Sequence, residues 1–214
     1  MKNIVALLFM FASATLGVSV PSCIQMKSDS IFAVQTDSKQ ATYIDVFKNG
    51  KQTFYFAASF KNLPFCIDSV ARVVQDLANY TKISASVKRS EQISSTATLL
   101  EMKTSIVKLW VVVHYEAAFN PDSTIIVRVT KIDDTVLNNR TRKHETGFFM
   151  IEANEFQSEI KLQKIDSTTT RIGYVSVVAP NVWIPPWLYT WASRDFVPGM
   201  VIDIEKYVGK MKKE

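Results

Sequence analysis

Polar and apolar positions change period along this chain, and the changes mark its elements. Thr42 to Phe47 and Thr53 to Phe60 (TFYFAASF) read as two strands, with Asn49-Gly50 between them as a two-residue hairpin signal. From Pro64 the pattern turns helical. Ile67, Val70, Ala71, Val74, Leu77 and Ala78 share one face, while Asp68, Arg72, Gln75, Asp76 and Asn79 share the other. From Lys82 onward the period is two. It predicts strands over 83–93, 96–103, 105–117, 123–132, 147–153, 156–165 and 170–178. Asn120-Pro121-Asp122, Asp133-Asp134 and Asp166-Ser167 separate several of these, which makes a meander of antiparallel strands.

The last stretch, Asn181 to Val208, returns to helical spacing behind an aromatic and proline-rich start, Trp183-Ile184-Pro185-Pro186-Trp187. Prolines suit a helix start, where missing N–H groups cost little. Val197, Met200, Val201, Ile204, Val208 and Met211 form its apolar stripe, and Pro198 predicts a kink or restart within it. In the strand around Trp110, Val107, Leu109, Val111, Val113 and Tyr115 take one face. Ile106, Lys108, Trp110, Val112, His114 and Glu116 take the other, wetter face. Ile125, Val127 and Val129 repeat that alternation on the next strand.

Residues 1–22 read as an export leader: Lys2, an unbroken apolar run from Ile4 to Phe11, then small residues. An uncleaved anchor helix is the competing reading. Two cleavage candidates follow, Ala12-Ser13-Ala14 and Val20-Pro21-Ser22 before Cys23. The second resembles a lipobox, although Pro21 departs from it, so Cys23 is a lipidation candidate that would tie the chain to a membrane. A Cys23–Cys66 disulfide and a buried Cys66 thiol remain open beside it. Residues 23–39 read as an irregular lead-in and 40–214 as one domain. Its expected location is exported, in the periplasm or anchored in the cell envelope.

The 214 residues are 47% hydrophobic and 21% charged, which fits a globular chain. A net charge of +5 is scattered apart from Arg140, Arg142, Lys143 and His144 and the C-terminal lysines. Without stacking aromatics among them, nucleic acid is not an expected partner. Asn79-Tyr80-Thr81 and Asn139-Arg140-Thr141 match a glycosylation sequon, which matters only in a secretory eukaryotic setting.

Candidate chemistry is sparse. The chain has two histidines and two cysteines and lacks the zinc, nucleophile-elbow and phosphate-loop motifs. No cofactor, metal site or catalytic residue is therefore assigned. His114 and His144 fall on wet positions, and Asp68 and Asp76 on a polar helix face. The aromatic set Trp183, Trp187, Tyr189 and Trp191 reads either as packing at the helix start or as cavity lining.

Two stretches carry a resemblance. One is Val70 to Ile93 (VARVVQDLANYTKISASVKRSEQI). The other joins Ala179-Pro180, Ile184-Pro185-Pro186-Trp187-Leu188 and Val197-Pro198-Gly199-Met200. The chain resembles the START-like superfamily of helix-grip proteins, which includes polyketide cyclase-like and coenzyme Q-binding domains, over about residues 53–208. The leader, the first strand and the polar stretch 134–146 depart from that pattern.

The resemblance implies an α+β helix-grip fold: a curved antiparallel sheet wrapped around a long C-terminal helix, with a short helix after the first strands. It also implies an elongated cavity for a lipid, quinone or polycyclic ligand. Leu109, Val111, Val113, Trp187, Trp191, Met200 and Ile204 would line that cavity, with Tyr115 and Tyr174 as polar anchors. The expected function is carriage of a hydrophobic small molecule. A cyclase or hydrolase acting on a lipid or polyketide, and an envelope interaction module with a filled core, are the alternatives.

Overall fold

A computed structural model describes residues 40–95, 97–103, 108–120, 124–132 and 150–211. The chain begins with β1 (Ala41–Asn49) and β2 (Gln52–Leu63). Asn49 pairs with Gln52, so the hairpin turns on Gly50-Lys51, one residue later than the sequence suggested. Gly50 sits at φ +60°, in the left-handed region that favours glycine. Then come α1 (Ile67–Val74), a 3₁₀ turn (Leu77–Asn79) and the one-turn helix α2 (Tyr80–Ile83). The strands β3 (Val87–Gln92), β4 (Thr98–Lys103), β5 (Lys108–Asn120), β6 (Thr124–Lys131), β7 (Met150–Lys164) and β8 (Thr170–Pro180) follow. The long helix α3 (Pro186–Met211) comes last.

The sheet runs β1-β2-β8-β7-β6-β5-β4-β3, with every neighbour antiparallel. β2 and β8 lie side by side although more than a hundred residues separate them. That pairing brings the first hairpin next to the last strand and gives α3 a floor.

Several boundaries differ from the sequence reading, and three of the differences change an element. Over the described residues, the predicted strands 147–153 and 156–165 join in one strand, β7 (Met150–Lys164). A register shift between Ala153 and Glu155 against β8 explains the apparent break: a bulge shifts the alternation without ending the strand. The helix predicted to run through Ala78 stops at Val74, and Ala78 is exposed. The Tyr80 hydroxyl donates to the Val74 carbonyl at 2.9 Å, which occupies a helix-end acceptor and fixes the turn. The strand predicted over 83–93 begins only at Val87, because Ile83 closes α2.

One face of the sheet and the α3 stripe form the main core. Tyr55, Ala57, Val111, Val113, Val127, Ile160, Ile172 and Tyr174 meet Val197, Met200, Val201, Ile204 and Val208 there. Met211, assigned to the stripe, is exposed because it lies in the last turn. The opposite face of β1, β2 and β8 is also buried, as an aromatic layer of Phe54, Phe56 and Phe60 with Val175 and Val177. Tyr43 meets Phe60, and Phe47 meets Phe56, edge to face, each with ring centroids 6.2 Å apart. A smaller outer cluster joins Val112 to Leu99, Ala97 and Trp110, so Val112 is buried on the face read as wet.

Candidate functional site

Where β6 ends at Lys131, β5 and β7 close the gap and pair directly. Lys108–Trp110 run parallel to Met150–Glu152. Leu109 thereby stands opposite Ile151. With Val178 and Pro180 at the end of β8, they form the floor of an apolar pocket. Its roof comes from Ile184 and from Leu188, Tyr189, Ala192 and Ser193 in the first turns of α3. The volume is about 70 Å³.

Local chemistry positions that roof. Leu188 N–H and Tyr189 N–H both donate to the Pro185 carbonyl, at 2.9 and 3.1 Å, and start the helix. The Tyr55 hydroxyl donates to the Ile184 carbonyl and accepts from the Ile184 N–H at 3.3 Å. One phenol thus fixes both backbone groups of the residue that leads into α3. The Tyr55 and Tyr189 rings pack with centroids 4.6 Å apart. Further along the helix, the Gln40 amide donates to the Pro198 carbonyl at 3.0 Å and to Ser59 Oγ at 3.0 Å. Asp203 accepts from Ser84 Oγ at 2.9 Å and from the Ala85 N–H at 3.1 Å. Lys61 pairs with Glu205.

Among the described residues, the buried polar side chains are hydroxyls apart from Glu159, which pairs with Arg128 at 2.9 Å. Tyr174 is hydrogen-bonded to Ser158 and Ser176, and burial outweighs those bonds and pushes its phenol up to about 12. Burial likewise raises Tyr189, which is hydrogen-bonded to Ser193, and Tyr80, which lies near Tyr174 and Tyr115. Tyr55 and Tyr115 are raised by the same cause. Phenols held above their ordinary range are neutral hydrogen-bond donors at neutral pH, and of this set Tyr189 borders the pocket. His114 is partly exposed, with Nε2 3.4 Å from the Glu116 carboxylate. Among the described residues, no cluster of three or more His, Cys, Asp or Glu side chains could hold a metal ion.

The structure separates the residues that the sequence grouped. Leu109 lines the pocket. Val111, Val113, Tyr174, Met200 and Ile204 are buried in the packed core further along the groove, and Tyr115 packs at its margin. Trp187 and Trp191 are a correction: at 71% and 48% exposed, they lie on the outer surface and not in the interior. Helical geometry puts them roughly 80° and 120° round α3 from Val197, on the side away from Tyr189 and Phe196. Cys23 and the stretch 134–146 lie outside the described residues, and with Cys23 the question of its pairing with Cys66. Cys66 Sγ lies 3.0 Å from Ser69 Oγ at the start of α1.

Sequence reasoning missed Tyr55, Ile151, Val178, Ile184, Leu188, Ala192 and Ser193. Alternation in β2 favours the more apolar Phe54, Phe56 and Phe60 face, so it does not single out Tyr55. The rest depended on where β6 stops, which the alternation does not record.

A sheet that grips one long C-terminal helix over an apolar pocket is a helix-grip fold, and it is similar to the fold of START-related structures. A STAR-related lipid transfer protein from Xanthomonas axonopodis is similar at TM-score 0.56 and 16% identity, covering 77% of this chain and 98% of its own. Human STARD10 is similar at TM-score 0.61 and 11% identity, covering 93% of this chain and 84% of its own. Human StAR-related lipid transfer protein 5 follows at TM-score 0.58 and 10% identity, over 90% and 100%. No protein-family model and no curated protein matches the chain. At such identities the likeness concerns the fold.

Proposed function

We propose that this chain binds and carries a hydrophobic small molecule of lipid, quinone or polycyclic type between α3 and the sheet. The observation that carries the proposal is the pocket at Leu109, Ile151, Val178, Leu188 and Ala192, apolar on all sides and roofed by a helix with an internal proline. An apolar wall with few hydroxyl anchors suits such a ligand. About 70 Å³ is the closed form, because a ligand-sized pocket is about 300–1,000 Å³. Loading therefore requires the first half of α3 to lift from the sheet end, turning at Pro198-Gly199. An added Cβ at Gly199 would meet nothing within 4 Å, so the hinge has open space around it. The leader-like pattern of residues 1–22 supports the cell envelope as the chain's proposed place of work.

A second reading, an interaction module with a filled core, is supported by the small volume of the same pocket. Fluorescent acyl, isoprenoid and polycyclic probes distinguish the two. The carrier reading predicts saturable binding that Ala192→Phe, which fills the pocket, weakens at least tenfold while circular dichroism stays unchanged. Absence of saturable binding across the panel would leave the filled-core module.

A further inference from the structure

We propose that the exposed indole face at the start of α3 docks this chain onto an anionic lipid bilayer. Three of the four tryptophans of the chain stand at this end of the molecule. Trp183 and Trp187 are each 71% exposed, and Trp191 is 48% exposed. Trp187, Thr190, Trp191 and Arg194 recur at i, i+3, i+4 and i+7, so they share one face of α3. Trp183 and Val182 stand exposed in the segment just before it.

Large aromatic side chains in water cost free energy, and a cluster of them marks a contact surface. The residue choice selects the contact. Indole combines an apolar body with one N–H donor, which suits the headgroup layer, where one end is greasy and the other wet. Arg194 puts a guanidinium at the edge of the indoles, a fork that matches phosphate. The net charge of +5 favours an anionic surface over a neutral one. No helix of the described residues is long and apolar enough to cross a membrane, so this contact lies on the surface.

Position gives the contact a use. Leu188 borders both the indole face and the apolar pocket under α3. A bilayer seated on Trp187 and Trp191 would therefore lie next to the pocket roof. The docking inference does not rest on the carrier reading, since it is measured with no ligand bound. It is also separate from any anchoring through residues 1–23, which every variant below retains.

The experiment is sedimentation of the full chain with phosphatidylcholine vesicles, with and without phosphatidylglycerol. A Trp110→Phe background removes the one indole that lies elsewhere, in the outer cluster of the sheet. Binding should shift indole emission to the blue, and brominated phosphatidylcholine should quench it. Trp187→Ser with Trp191→Ser should weaken binding about a hundredfold, at about tenfold per ring. Arg194→Gln should weaken it about fivefold, on the anionic vesicles alone. Phe119→Ser, an equally exposed ring roughly 33 Å along β5 from Leu109, should change nothing. Unquenched indoles, or equal binding by the double variant, would overturn the proposal. So would a dimer without vesicles that the double variant abolishes, since a second copy would then be the occupant. If the double variant does not fold, quenching in the Trp110→Phe background decides alone.

Discussion

Tyr55 shows how one hydroxyl ties distant parts of this chain together. It joins β2 to Ile184 across 129 positions, so nothing local in the sequence announces it. Tyr55→Phe removes both hydrogen bonds to Ile184 and should cost about 1–3 kcal/mol, read as a lower urea midpoint at unchanged slope. Tyr174 makes a different prediction. An unfolded tyrosine titrates at 10.0, whereas this one holds its proton up to about 12. The folded chain therefore binds more protons than the unfolded chain in that window. Its stabilising effect is complete below pH 10 and is lost as pH rises through 12. Tyr174→Phe should flatten the stability curve there by as much as about 1.4 kcal/mol per pH unit, followed by urea titration with tyrosinate absorbance. An unchanged slope would count against a buried, neutral Tyr174. Alternation alone turned Tyr174 and Tyr115 inward, so this half of the polar set was legible before any coordinates.

Helix α3 carries both stability and the proposed movement, in different halves. Its second half is held by the Val197–Val208 stripe, by Asp203 on Ser84 and by Lys61 on Glu205. Its first half is held chiefly by Tyr55 and Tyr189. Gly199→Ala meets no neighbour and replaces a poor helix former, so it should stabilise the fold by about 1 kcal/mol, seen as a raised melting temperature. If the hinge reading is right, the same change should slow probe uptake, and stopped-flow mixing would show it. Faster or unaltered uptake in a stabilised variant would contradict hinging at Pro198-Gly199. The stripe and the proline were plain in the sequence. The exposure of Trp187 and Trp191 was not, because aromatic character suggests burial while helical phase puts them off the stripe. β7 teaches the same lesson: a break in alternation reads equally as a turn or as a bulge, and only the pairing with β8 decides.

The architecture was legible because its signals are long. Alternation over the strands, amphipathic spacing after Pro64 and the terminal stripe define a sheet gripping a helix. How tightly the grip closes was not legible. Val111, Val113, Met200 and Ile204 face inward as expected, but inward facing does not distinguish a lined cavity from a packed core, and here they pack. Among the described residues, a small apolar pocket lies under α3 at the end where β6 has stopped and Leu109 meets Ile151. The central claim is that this space opens to hold an apolar ligand. Its most direct test is mass spectrometry of an organic extract of the protein purified from its native source. The carrier account predicts one stoichiometric lipid, quinone or polycyclic compound, depleted in Ala192→Phe, while the mass of the intact protein reports any acyl group on Cys23. An extract with no such compound, from protein that also binds none of the probe panel, would contradict it.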